Sequence, residues 1–135
     1  MQNFPMISTV RQEFPRPQIS SVSSALEAEF SNATLPELSN KRIAVAVGSR
    51  GITGIVEIVQ NTIRILKEKG ADPFLVTAMG SHGGGTADGQ AEILSDYGLT
   101  PESLGVPVRS GIETVVVGTS PEGVPVDVDK LAFES

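Results

Sequence analysis

Arg42-Ile-Ala-Val-Ala-Val47 runs directly into Gly48-Ser-Arg-Gly-Ile-Thr-Gly54, after which Ile55, Ile58, Val59, Ile63 and Leu66 recur at helical spacing. An apolar run without alternation reads as a strand buried on both faces. Lys67 and Lys69 in the last helical turn, followed by Gly70, mark where the helix stops. The pattern then repeats. Pro73-Phe-Leu-Val-Thr-Ala78 is a second buried strand and Met79-Gly-Ser-His-Gly-Gly-Gly-Thr86 a second glycine-rich loop. Thr86 caps the next helix, with Asp88 in its first turn and Gly98 past its end. Strand, helix, strand, helix, strand in this order implies parallel βαβ units with right-handed crossovers. The expected fold class is therefore α/β: a Rossmann-like three-layer domain with a mostly parallel sheet, plus an extended N-terminal arm.

Outward from that centre, Ile19, Val22, Leu26 and Phe30 predict an amphipathic helix over residues 18–32. Residues 1–17, with Pro5, Pro15 and Pro17 and no period, read as the arm. Thr100-Pro101 predicts the cap and first position of a short helical turn. Thr114-Val-Val-Val-Gly118 and Val124-Pro-Val-Asp-Val128 predict strands around a Ser120-Pro-Glu-Gly123 turn. Residues 18–135 are thus expected to form one α/β domain. Lys130-Leu-Ala-Phe-Glu-Ser135 looks like a helix just starting, and the expectation is that the chain is the front of a longer protein.

Composition narrows the chemistry. The 135 residues carry 10 Lys and Arg against 16 Asp and Glu, a net charge of −6, with the acids scattered rather than in a tail. Nucleic-acid binding needs a basic stripe, which is absent from the sequence. With no cysteine there is no disulfide, Cys-ligated zinc, iron–sulfur cluster or thiol nucleophile, and one histidine excludes a self-contained multi-histidine metal site. The longest clear apolar run, Ile43 to Val47, is far short of the ~20 residues of a membrane span. The expectation is a soluble cytoplasmic protein with neither nucleic acid nor membrane as partner.

Consecutive parallel strands end on the same edge of a sheet, where ligands bind. If the two buried strands are neighbours, their loops face one crevice. Gly48, Gly51, Gly54, Gly80, Gly83, Gly84, Gly85 and Gly89 account for more than half of the chain's 14 glycines. Such density suits backbone that approaches a ligand or takes positive φ. The same loops hold Ser49, Arg50, Thr53, Ser81, His82 and Thr86, and each runs into a helix N-terminus. That combination favours an anion beside a titratable group. His82 is the side chain suited to moving protons near neutral pH; the plain alternative is a loop histidine bonded to a backbone carbonyl. Arg50 can grip a carboxylate with two prongs, or merely sit solvated on a turn. Asp127-Val-Asp129 places two carboxylates on one strand face, read as strand-end solvation rather than a metal site.

The glycine spacings match no common nucleotide motif. Gly48-x-x-Gly51-x-x-Gly54 is not the dinucleotide fingerprint, no acid ends the second strand at Thr77-Ala-Met79, and no Gly-Lys-Ser/Thr forms a P-loop. A Ser-His-Asp triad lacks its Gly-x-Ser-x-Gly elbow.

At Ala78-Met-Gly-Ser-His-Gly-Gly-Gly-Thr-Ala-Asp-Gly-Gln90, preceded by Val47-Gly-Ser-Arg-Gly-Ile52, the sequence resembles the N-terminal domain of the lactate racemase family, from about Lys41 onward. These are nickel-pincer-cofactor-dependent racemases and epimerases. The resemblance implies an isomerase that removes hydride from the hydroxyl-bearing carbon of a 2-hydroxy acid and returns it to the other face, while histidines exchange the hydroxyl proton. It implies His82 as one acid–base histidine, Arg50 and Ser49 at the substrate, and Thr53, Gly51, Ser81, Gly83 and Gly84 at a nickel-pincer mononucleotide. The cofactor's lysine, the nickel-binding histidine and the second catalytic histidine are expected beyond residue 135, in a C-terminal domain, with no metal ligand inside this chain. Lys130 is not assigned the lysine's role. Where lactate racemase has an Asp-His-Thr-Arg-Pro run, this chain has Ser49-Arg50-Gly51-Ile52-Thr53. Arg50 falls about two positions before the family's carboxylate-holding arginine, and a hydroxy acid larger than lactate fits the resemblance at least as well. Two other readings stand beside it: a non-catalytic Rossmann-like module binding a phosphate or carboxylate ligand, and a fragment whose exposed sheet edge is normally covered by a missing half.

Overall fold

The computed structural model describes residues 8–15 and 17–135. The elements run α1 (Val22–Asn32), β1 (Arg42–Val47), α2 (Ile55–Glu68), β2 (Asp72–Thr77), a 3₁₀ turn (Gly83–Gly85), α3 (Ala87–Asp96), α4 (Pro101–Leu104), β3 (Val108–Arg109), β4 (Thr114–Thr119), β5 (Pro125–Asp129) and α5 (Lys130–Phe133). The architecture is mixed α/β, with a three-stranded parallel sheet in the order β1-β2-β3 and a separate two-stranded antiparallel sheet, β4-β5. The arm expected over residues 1–17 lies outside the described residues at 1–7 and 16. Its described part forms neither helix nor strand and is exposed. No helix among the described residues is long and apolar enough to cross a membrane.

β2 is the central strand, and from Pro73 to Thr77 every residue is buried. Leu75, with no exposed surface, joins Val59 and Ile63 of α2, Leu94 of α3, and Leu99, Leu104 and Val106 in one apolar cluster. Both crossover helices thus feed a single core on the Leu75 side, as the unreversed strand order requires. The guanidinium carbons of Arg42 and Arg109 each lie over the Phe74 ring, 5.3 and 5.1 Å from its centroid. Such cation–π contacts let charged side chains cover an apolar ring without losing their water.

Three expectations are corrected. β1 is not buried on both faces: it is the edge strand, only Val47 is fully buried and Ala46 is exposed. An apolar run cannot by itself distinguish a central strand from an edge one. The third parallel strand is not residues 114–118 but the two-residue β3, too short to leave a periodic signal. β4 instead pairs antiparallel with β5, its register shifting between Val116 and Gly118, and Val116 and Val126 stay exposed. The first helix begins at Val22 rather than near Gln18, because the Ser21 hydroxyl accepts from the Ser24 amide and caps it there. Ile19 is left exposed.

Ion pairs trim the surface. Arg64 joins α1 to α2, donating from Nη2 to Glu27 Oε1 at 2.6 Å and from Nη1 to Glu68 at 2.9 Å. Its pKa is raised, by the Glu68 bond first and the Glu27 bond second. α5 packs on β1 and on both hairpin strands. It is tied to the start of β4 by Lys130 N–H donating to the Glu113 carbonyl at 3.0 Å and Lys130 Nζ donating to Glu113 Oε2 at 2.8 Å. That ammonium holds the Glu113 carboxyl below its ordinary range, and Glu113 raises Lys130 in turn.

Two outcomes test this account. Leu75→Ala should lower the unfolding free energy in denaturant by about 2–5 kcal/mol, since the central strand cannot collapse into the cavity. A lowered carboxylate pKa stabilises above its unfolded value of about 4.3 and is lost as pH falls through the folded value; a raised lysine stabilises below about 10.4 and is lost as pH rises through its folded value. The Lys130 amide should therefore be protected from hydrogen exchange in the interval between, and lose protection, relative to the Leu75 amide, when acidified below about pH 4.

Candidate functional site

β1 and β2 pair parallel with Val47 opposite Thr77, and the Ala78 amide extends the ladder by donating to the Val47 carbonyl at 2.9 Å. The segments that follow, 48–54 and 78–86, therefore leave the same edge side by side. Between them lies a cleft of about 310 Å³ lined by Gly48, Ser49, Arg50, Ile52, Ala78, Met79 and His82. The crevice expected from neighbouring strands is present, and it brings together Ser49, Arg50 and His82.

Ser49 is half-buried, and its hydroxyl is hydrogen-bonded to Nδ1 of His82, 33 residues away. Arg50 is exposed and has no ion-pair or hydrogen-bond partner among the described residues, and no carboxylate among them lines the cleft. Gly54 takes the left-handed conformation, φ 76°, at the head of α2, and no side chain caps that helix. The cleft therefore presents a guanidinium and an imidazole, with the start of α2 close by in sequence and its first amide, Ile55 N–H, donating to the Ile52 carbonyl at 3.1 Å: a setting suited to an anion.

The His82 loop is held from beneath. Gly80, Gly83, Gly84 and Gly85 all take positive φ, a path few side-chain-bearing residues follow. His82 N–H donates to the Met79 carbonyl at 3.3 Å, and the His82 carbonyl accepts from Gly85 at 3.1 Å. Gly83 lies directly on the first turn of α3: a Cβ there would fall 2.6 Å from the Gln90 nitrogen, and one on Gly89 would fall 2.8 Å from the Gly83 carbonyl carbon. These two glycines are needed for backbone packing. Thr86 locks the junction, its hydroxyl donating to the Gly83 carbonyl at 3.0 Å and accepting from Gly89 N–H at 3.1 Å.

The remaining named residues are not drawn into the cleft wall. Gly51 adjoins it, with open space where a Cβ would be. Thr53, Ser81 and Gly84 are exposed on the two loops. Asp127 and Asp129 have structural partners, the Thr114 hydroxyl at 3.1 Å and the Ala132 amide at 3.0 Å. Among the described residues no group of three or more His, Cys, Asp or Glu side chains is gathered to hold a metal ion.

Two residues that sequence reasoning passed over matter here. Tyr97, the chain's one tyrosine, donates from its phenol to the Ser49 carbonyl at 2.7 Å. Gln90, only 4% exposed, donates from Nε2 to the Gly80 carbonyl at 2.8 Å. A signal was available: Gln90, Ile93, Leu94 and Tyr97 are spaced i, i+3, i+4, i+7, so two polar groups ride on the buried stripe of α3. Comparison with protein-family models, curated proteins and solved structures returns no match.

Gly83→Ala or Gly89→Ala should destabilise the chain by about 1–3 kcal/mol through overpacking. Each should also speed exchange of the His82 amide. Gly51→Ala, with open space around it, should stay within about 0.5 kcal/mol of the parent. Denaturation curves and amide exchange of the three variants distinguish packing glycines from free ones.

Proposed function

We propose that the chain is the N-terminal domain of a nickel-pincer-dependent 2-hydroxy-acid racemase or epimerase of the cytoplasm, similar to lactate racemase, with His82 as one acid–base group. The observation that carries this reading is the meeting of the two glycine loops: the chain's only imidazole and Arg50, which has no partner among the described residues, share one small cleft at the carboxyl edge of β1 and β2. In that cleft the guanidinium of Arg50 would hold the substrate carboxylate. The imidazole of His82 would accept the proton of the neighbouring hydroxyl and later return it. Ile52 and Met79 supply apolar walls for a side chain. A Rossmann-like three-layer arrangement belongs to the same proposal, with a further layer lying on the Phe74 side of the sheet.

The residues present fit part of the cofactor. Gly51, Thr53, Ser81 and Gly84 are exposed on loops with free space around the two glycines, which suits contact with a nucleotide phosphate. They do not fit the nickel: one imidazole, already bonded through Nδ1 to Ser49, is no donor set, and the metal's ligands and the anchoring lysine are assigned to a C-terminal domain. The bound cofactor would supply acceptance and return of the hydride.

The test is interconversion of the enantiomers of a panel of 2-hydroxy acids, followed by chiral chromatography, with the domain in its complete, cofactor-loaded enzyme. His82→Ala should lower kcat by roughly 10²–10⁴-fold. Arg50→Lys should act mainly on KM, because an ammonium cannot reproduce the two-pronged grip. Full activity in His82→Ala overturns the assignment. Tight calorimetric binding of a hydroxy acid or nucleotide by the 135-residue chain alone would favour the binding-module reading instead.

A further inference from the structure

An imidazole used for proton exchange has two nitrogens, and the partner of one decides what the other can do. His82 is anchored through its main chain on both sides, by its amide to Met79 and its carbonyl to Gly85, but those bonds leave the ring free to turn. Among the described residues the only side-chain hydrogen bond of the ring is the one from Nδ1 to the Ser49 hydroxyl. Nε2 has no partner. Ser49 in turn lies between Gly48 and Gly51, in a stretch with little intrinsic stiffness, and its half-buried position needs an outside support. Tyr97 is that support. Its ring packs against the apolar core at the end of α3, and its phenol reaches the Ser49 carbonyl at 2.7 Å. The connection therefore runs from the core through Tyr97 and the Ser49 backbone to the Ser49 hydroxyl and His82 Nδ1.

We infer that Ser49 and Tyr97 are positioning residues that engage Nδ1 of His82 and leave Nε2 as the nitrogen that exchanges protons in the cleft. This rests on the acid–base reading of His82 and moves Ser49 from holding substrate to holding the ring. A hydroxyl suits the task because its oxygen can accept from Nδ1–H in both the imidazolium and the neutral ring, so the bond survives proton transfer at Nε2. With Nδ1–H donating to Ser49, the neutral ring keeps its lone pair on Nε2, the form able to take a proton from a bound hydroxyl. Arg50 is the one charged side chain lining the same cleft among the described residues, and it leaves Nδ1 to Ser49.

Because His82 is the chain's only histidine, its tautomer can be read without assignment from two-bond proton–nitrogen correlations of the ¹⁵N-labelled 135-residue chain, recorded above the ring's titration. The expected result is a neutral ring that is mainly Nδ1–H. Ser49→Ala should shift the tautomer ratio toward Nε2–H by roughly threefold to tenfold, the range set by one net hydrogen bond. Ser49→Thr should restore the parent ratio, and Tyr97→Phe should shift it in the same direction as Ser49→Ala while the amide spectrum keeps its dispersion. An Nε2–H ring in the parent chain overturns the inference without recourse to any variant. So does an unchanged ratio in Ser49→Ala, and an unchanged ratio in Tyr97→Phe removes Tyr97 from it. The measurement needs no turnover: an Nδ1–H ring together with an active His82→Ala enzyme would overturn the reaction and not the positioning.

Discussion

The parallel pairing of β1 with β2, Val47 opposite Thr77, is the constraint from which the rest follows. A parallel pair has both carboxyl ends on one edge, so whatever follows each strand is delivered to the same place. Had the two strands paired antiparallel, Ser49 and His82 would sit at opposite ends of a six-residue strand, about 20 Å apart at the usual rise. The core enforces the arrangement. Leu75 on the central strand has no exposed surface and meets side chains from both crossover helices, so neither helix can shift without opening a void beneath the loops.

The glycines divide by physical role rather than forming one ligand cradle. Gly83 and Gly89 permit the loop and α3 to touch backbone to backbone, and Gly54 lets the chain turn into α2 at positive φ. Gly51 and Gly84 have space around them and no packing demand, though Gly84, like Gly54, takes positive φ. Gly51 sits between the cleft-lining Arg50 and Ile52 and adds no side chain beside them. Glycine density in the sequence therefore combined two signals, one for packing the His82 loop and one for access to it, and only the second bears on a ligand.

Much of the fold was legible because the periodicities are strong. The stripe from Ile55 to Leu66, the Thr86 cap, the Thr100-Pro101 start and the hairpin around residues 120–123 all appear where their side-chain chemistry places them. The rest was hidden for identifiable reasons. β3 consists of two residues and has no period to detect. β1 reads like a central strand because alternation is lost in any short apolar run, whereas its edge position is decided by what pairs with it. In the site, residue types announced Ser49, Arg50 and His82, but the Ser49–His82 bond spans 33 residues and the Tyr97–Ser49 bond 48, and no local pattern encodes either.

The two polar residues on the buried stripe of α3 link these observations. A helix that only covered a sheet would gain from apolar residues at positions 90 and 97. Here Gln90 reaches the Gly80 carbonyl and Tyr97 the Ser49 carbonyl, one bond to each glycine loop. Each bond satisfies a main-chain acceptor that would otherwise depend on water, and each is worth about 0.5–1.5 kcal/mol net. That is a small stabilisation for placing amide and phenol groups among apolar neighbours. The larger effect is geometric: two loops built from flexible residues are fastened to one rigid element, which fixes the distance between them. Precision of that kind contributes little to folding and a great deal to the proposed site, in which an imidazole and a guanidinium would face the same small molecule.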